Sequence, residues 1–208
     1  MIIYVDMDRH DPPSEQIGAA RTRITYRLED LAQQTCLLIR YSRVSPELIA
    51  NVNASAIFLS GNRGSPADYD PAELIGFNKV VQSTEVPIFA FCGGMQAVAV
   101  ALDAPVEELT GEGRMAEFGY WPVTVTSPHP VFDGLTEPVM RHAHRYHVPA
   151  VPAGFTVHAS TPMTPVQTMI NDERRIVATQ FHPEYWTEEF PAGRRMIENF
   201  LGWISLGP

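Results

Sequence analysis

Cysteine is scarce in this chain, with only Cys36 and Cys92 among 208 residues. Two cysteines are too few for a disulfide framework, although sequence alone leaves open whether they pair. Cys36 opens the strand-like run Cys36-Leu37-Leu38-Ile39, which predicts a buried free thiol and fits a reducing compartment. Positive charge is also in deficit: 15 Lys and Arg stand against 24 Asp and Glu, a net charge of -9. That balance argues against nucleic acid or an anionic membrane as the main partner. No stretch approaches the length of a membrane span. The opening Met1-Ile2-Ile3-Tyr4-Val5-Asp6 is too short and too soon acidic for a signal peptide, so a cytoplasmic protein is expected. No internal repeat, low-complexity tract or linker interrupts the chain, and residues 1–208 read as a single domain with room for a full core.

What is present is an alternation of strand and helix. Short apolar strands are predicted over 2–5, 37–41 and 56–59, and another ends at Cys92. Helices are predicted over 14–34, with Ser14 as its cap, and over 46–52, 71–83 and 95–102, from apolar residues at helical spacing and proline at first positions. This order implies right-handed crossovers and a mostly parallel sheet with helices on both faces. Beyond about residue 105, strand-like runs at 121–126, 139–143, 155–159, 166–170 and 176–181 are broken by proline and glycine. They read as antiparallel hairpins added to that sheet, closed by a helix over 193–204.

The run Val86-Pro87-Ile88-Phe89-Ala90-Phe91-Cys92-Gly93-Gly94-Met95-Gln96 places a thiol at a sharp strand-to-helix turn. Small residues at Ala90 and Gly94 leave the apex open to approach. The following helix start favours a negative charge there, and the thiolate is the reactive form of cysteine. The competing reading is a cysteine packed as a small hydrophobe.

Three further segments follow predicted strands, at the edge where open parallel sheets carry their sites. In Ser60-Gly61-Asn62-Arg63-Gly64-Ser65, glycine and asparagine can turn backbone N–H groups toward a ligand, or simply make a surface turn. In Gln180-Phe181-His182-Pro183-Glu184, residues two apart in an extended segment share a side, so Glu184 can orient His182 as a base serving a thiol. A surface turn with an incidental ion pair is the alternative. In His142-Ala143-His144-Arg145-Tyr146-His147, polar donors could line a pocket, with His144 and Tyr146 foremost. A metal is discounted, because no second cluster has ligand spacing.

Taken together and in this order, these motifs resemble the class I glutamine amidotransferases. Glu117-Phe118-Gly119-Tyr120, His129-Pro130-Val131-Phe132-Asp133-Gly134-Leu135 and Asn199-Phe200 are similar to family patterns as well, so the resemblance covers nearly the whole chain. It implies a flavodoxin-like sheet and a Cys92, His182, Glu184 triad that releases ammonia from glutamine through a thioester, with no cofactor. It further implies oxyanion donors at the backbone N–H groups of Asn62 and Gly93. Gly61, Gln96, Ala143, His144, Arg145 and Tyr146 would meet the substrate.

The chain departs from the usual family pattern at Ala90, where glycine is common, and at Asn62-Arg63, where Gly-Pro is frequent. Asn62 could hinder the oxyanion peptide; Arg63 could select an anionic substrate or be a solvated loop charge. The stretch 8–23 is longer than the family's usual first loop. No synthase domain or nucleotide-binding glycine motif is found, so a separate synthase subunit would receive the ammonia, or none would. Two alternatives remain open: a gamma-glutamyl hydrolase or peptidase of the same fold, and a non-catalytic partner-binding module.

Overall fold

A computed structural model describes residues 1–9, 14–109 and 117–206. The strands are β1 (Ile2–Asp6), β2 (Cys36–Arg40), β3 (Ala56–Leu59), β4 (Ile88–Phe91), β5 (Glu107–Glu108), β6 (Glu117–Pro122), β7 (Thr124–Val125), β8 (Val139–His144), β9 (Tyr146–His147), β10 (Thr156–Ser160), β11 (Thr168–Asn171) and β12 (Ile176–Thr179). The helices are α1 (Glu15–Ala32), α2 (Pro46–Asn51), α3 (Pro71–Ser83), α4 (Gly93–Ala101) and α5 (Ala192–Trp203). Eight strands form one sheet in the order β2-β1-β3-β4-β12-β11-β10-β7. The first five run parallel, and β11, β10 and β7 extend the sheet antiparallel. This is the flavodoxin-like, mostly parallel architecture with added hairpins that the sequence implies.

Period-two alternation explains the two covered faces. Ile3, Val5, Ile57, Leu59, Ile88, Ala90, Ile176 and Ala178 point to the side closed by α2, α3 and α4. Ile2, Tyr4, Ala56, Phe58, Phe89, Phe91 and Val177 point to the side closed by α1 and α5. On that second side Phe89 and Phe200 rings stand 4.9 Å apart and Phe58 and Phe200 5.8 Å apart, so α5 is fastened to the sheet by aromatic contact worth more than its area alone.

Some expected boundaries move. The run 121–126 is two strands: β6 pairs with β8 in a separate ribbon and β7 with β10 in the main sheet. The change of sheet falls just after Pro122, which has no N–H to continue a ladder. Ser14 occupies the α1 cap position, but its side chain makes no capping bond; its carbonyl accepts from Ile17 and Gly18 instead. The ribbon of β5 and β9, two residues a side, is too short to leave a periodic signal. Cys36 is a buried free thiol, and burial pushes it up to about 12. Among the described residues no helix is long and apolar enough to cross a membrane.

Candidate active site

β3, β4 and β12 are neighbours in the sheet, and each delivers part of one site from its carboxyl end. At the end of β4, Cys92 adopts φ 47° and ψ -105°, a region costly for any side chain and met mainly where surrounding structure enforces it. Here the Cys92 N–H donates to the Thr179 carbonyl of β12 at 2.6 Å, and the Cys92 carbonyl accepts from Gln96 in the first turn of α4. Ala90 stays in regular ladder with Leu59 and Ala178, so the extra methyl needs no unusual backbone. A side chain at Gly94 would meet Leu59 and the Ser60 carbonyl within 2.9 Å, which explains how α4 can pass so close beneath β3.

Beyond β12 the chain leaves the sheet. The His182 N–H donates to the Arg141 carbonyl, and residues Pro183–Tyr185 form a single 3-10 turn. That turn, rather than the extended segment expected, brings Glu184 back to His182: Nδ1 and Oε1 lie 2.7 Å apart, with Glu184 fully buried. Arg27 of α1 donates to the Glu184 carbonyl at 2.9 Å and stacks on Trp186, holding the turn from outside. Burial alone would lower His182, but the Glu184 carboxylate and the Cys92 sulfur override it and raise it to about 10.

The Gly61–Asn62 peptide is fixed from its carbonyl end. Gly61 O accepts from the Ser60 hydroxyl at 2.8 Å and from Arg21 Nη2 at 2.9 Å. Arg21 is itself buried and paired with Asp6 at 2.8 Å. A trans peptide sets its C=O and N–H on opposite sides, so the Asn62 N–H is turned away from Arg21. The Asn62 nitrogen lies against Gly93, where a Cβ would come within 2.6 Å of it, and a Cβ on Gly61 would come within 2.7 Å of His182 Cε1. Both glycines are required by close approach. The Asn62 side chain also lies against Gly93, where a Cβ would come within 2.7 Å of its Cγ and Oδ1; its amide donates to Tyr69 Oη at 2.5 Å, and that hydroxyl donates to the Met7 carbonyl.

The first loop also holds this segment. Arg63 pairs with Asp8 at 2.9 Å and Arg9 with Asp68 at 3.2 Å. Arg63 is thus neither a bare solvated charge nor an uncompensated anion receptor. Of the stretch 8–23, residues 10–13 lie outside the described chain; the rest clamps the Asn62 loop and leads into α1.

These parts line one cavity of about 550 Å³, with Cys92, His182, Gly61, Asn62, Gln96 and Tyr146 on its wall. Gln96 donates to the Tyr146 carbonyl at 2.9 Å, and the Ala143 carbonyl lies 3.9 Å from the Cys92 sulfur. Arg145 leans on the Tyr146 ring and donates to its hydroxyl. The His144 side chain is turned inward instead, bonded to Glu117 at 2.9 Å, so its contribution to the wall is the strand it anchors. Gly93 lies at the α4 start and is not among the residues lining the cavity.

Glu117, His142 and His144 place ligating atoms within 4.8 Å of one another, as a metal site would. Yet Glu117 already accepts from Thr161, Thr164, Gln167 and His144. Burial opposes its charge, but bonds from His144, Thr161 and Thr164 hold it at about 2. Burial pushes His142 down to about 4. Glu117 and His144 form a buried hydrogen-bonded strut fastening β6 and β8 to the segment 161–167, with His142 beside it at 3.9 Å from Glu117.

The class-I glutamine amidotransferase family profile matches residues 20–203. The chain belongs to this family. Among curated amidotransferases it is 36% identical over 173 residues to the glutamine-hydrolysing GMP synthase of Oleidesulfovibrio alaskensis, a match covering 79% of this chain and 32% of that protein. The chain thus spans about three tenths of the length of the curated relatives it matches. Among solved structures it is similar to a Thermoplasma acidophilum protein assigned as a GMP synthase subunit, at TM-score 0.75 and 26% identity, covering 99% of this chain and 94% of that one. The glutaminase domain of Trypanosoma brucei CTPS, solved with bound acivicin, shares the fold at TM-score 0.71 and 16% identity, covering 100% of this chain and 95% of that one.

Arg21 and Tyr69, which hold the candidate site's glycine loop, were not singled out by sequence reasoning, and Ser60 was read only as the first residue of that loop. Arg21 sits in a helix where any charge reads as solvent-facing. A signal existed only in its position, on the same helical side as Ile24 and Leu28.

Proposed function

We propose that this chain hydrolyses the side-chain amide of glutamine to glutamate and ammonia. The observation that carries the reading is the convergence of Cys92, strained into one cavity, with a His182–Glu184 pair closed at 2.7 Å. The Cys92 sulfur, having given its proton to His182, attacks the amide carbon and forms the C–S bond. His182 passes that proton to the amide nitrogen, the C–N bond breaks, and ammonia leaves. Water then gives a proton to His182 and attacks the thioester; the C–S bond breaks, glutamate departs, and the sulfur returns. Glu184 keeps the imidazole in one tautomer and supports its charge throughout.

The negative oxygen of both tetrahedral states is received by the N–H groups of Gly93 and Asn62. Donors of this type are worth about 3 kcal/mol of barrier each. The anchored Gly61 carbonyl supports this assignment, since it directs the Asn62 N–H away from Arg21 and Ser60. Gln96 and the segment Ala143 to Tyr146 receive the amino acid end of the substrate. The GMP synthase relatives, most of whose length lies beyond the match, support the reading that a synthase outside the matched region consumes the ammonia.

The cavity also extends along α1 to Ile17 and Ala20, and this favours one second reading, a gamma-glutamyl hydrolase accepting a larger leaving amine. Both are tested by incubating the purified chain and Cys92→Ala with glutamine and a panel of gamma-glutamyl amides, measuring ammonia, glutamate and free amine. Ammonia from glutamine, abolished in Cys92→Ala, is expected. Preferential release of larger amines establishes the second reading. No turnover on any substrate, with or without candidate synthase partners, defeats both.

A further inference from the structure

We propose that Gln180 is a further catalytic residue of this site: its side-chain N–H donates to the Cys92 sulfur and steadies the negative charge that the sulfur carries before attack and recovers when the thioester breaks. The proposal rests on the reading of Cys92 as nucleophile. Gln180 Nε2 lies 3.6 Å from Cys92 Sγ, hydrogen-bond length for a sulfur acceptor. Both groups are out of water, Gln180 at 0% exposure and Cys92 at 3%. A sulfur anion so little exposed draws much of its stabilisation from fixed protein donors.

The direction of the Gln180 amide follows from its neighbours. Gln96 Nε2 donates to the Tyr146 carbonyl at 2.9 Å, which fixes the Gln96 amide, and the same nitrogen lies 3.4 Å from Gln180 Oε1. With its oxygen committed to Gln96, Gln180 presents its NH₂ to the sulfur. The backbone is equally constrained: the Gln180 N–H donates to the Gln167 carbonyl at 2.8 Å, and the preceding Thr179 carbonyl holds the Cys92 N–H. Gln180 therefore reaches the sulfur on the side of the Gln96 amide, while His182 is the titratable group beside the sulfur.

A merely structural glutamine would bridge Gln96 and leave the thiol's acid–base behaviour alone, so the test reads the thiol directly. The rate of Cys92 alkylation by iodoacetamide is followed against pH in the wild type, Gln180→Glu and Gln180→Met, with Cys92→Ala as the blank for Cys36. Hydrogen bonds to charged groups are of a size that moves such a midpoint by about one pH unit. The midpoint is expected to rise by that much in Gln180→Met and further in Gln180→Glu, with kcat for glutamine falling about tenfold and KM changing less. Folded variants with an unmoved midpoint overturn the proposal. A second measurement needs no variant at Gln180: the side-chain amide resonance of Gln180 is expected to shift with the alkylation midpoint in the wild type and to stay flat in Cys92→Ala. A flat wild-type resonance also overturns it. Neither readout depends on ammonia release, so failure here is distinct from failure of the glutaminase reading.

Discussion

Cys92 holds its backbone in a region that costs about 1–3 kcal/mol, and its neighbours explain why it stays there. The Thr179 carbonyl pins its N–H, α4 starts from its carbonyl, and Gly93 lets the Asn62 loop close over it. The same reasoning gives Arg21 a measurable role. Arg21→Lys keeps a charge beside Asp6 but loses the forked reach to the Gly61 carbonyl. Because Ser60 still holds that carbonyl, we expect kcat for glutamine to fall by about tenfold, less than full loss of an oxyanion donor, with KM little changed in steady-state assays. Cys92, His182 and Glu184 each had a structural alternative on the residues alone, and became legible as a set only through the resemblance that their motifs, in order along the chain, bear to the class I amidotransferases. Arg21 and Gln180 did not, because their roles depend on which distant backbone or sulfur atom they reach, and spacing along the chain carries no trace of that.

The ribbon of β6 and β8 supplies one wall of the cavity, and it is fastened by Glu117. Glu117, held at about 2 by His144, Thr161 and Thr164 against the opposing effect of burial, lies well below its ordinary 4.5. Its stabilising contribution is therefore complete above about pH 4.5 and is lost as pH falls from there toward 2. Glu117→Gln is expected to lower the thermal midpoint at pH 7 by removing the charge that these donors converge on. The gap from wild type should narrow as both are measured at decreasing pH below 4.5; a gap constant from pH 7 to pH 3 would contradict this. That the first half forms a mostly parallel sheet was readable from helix and strand alternation, whereas this ribbon was not. Its defining event is a change of sheet between Pro122 and Thr124 inside one apparently continuous apolar run, and a period-two pattern is indifferent to which partner a strand finds.

Across the whole molecule, one face of the sheet carries an aromatic layer that the cavity does not reach. Phe58, Phe89, Phe91 and Phe200 fill the layer under α1 and α5, away from the cavity wall. Phe200→Ala is expected to cost about 3–5 kcal/mol in chemical denaturation. The fraction that remains folded should retain wild-type glutamine turnover per active site.

The clamp made by Met7, Asp8 and Arg9 has a thermodynamic corollary. Met7 is two hydrogen bonds from the Asn62 side chain through Tyr69, and the residue before it, Asp6 at the end of β1, is the partner of Arg21. Whatever free energy the filled cavity gives to the closed Asn62 loop must be returned, equally, as tightening of the chain's first turn after β1. Occupancy at the thiol and order near the amino terminus are therefore two readings of a single equilibrium, and a binding event at either end reports on the other.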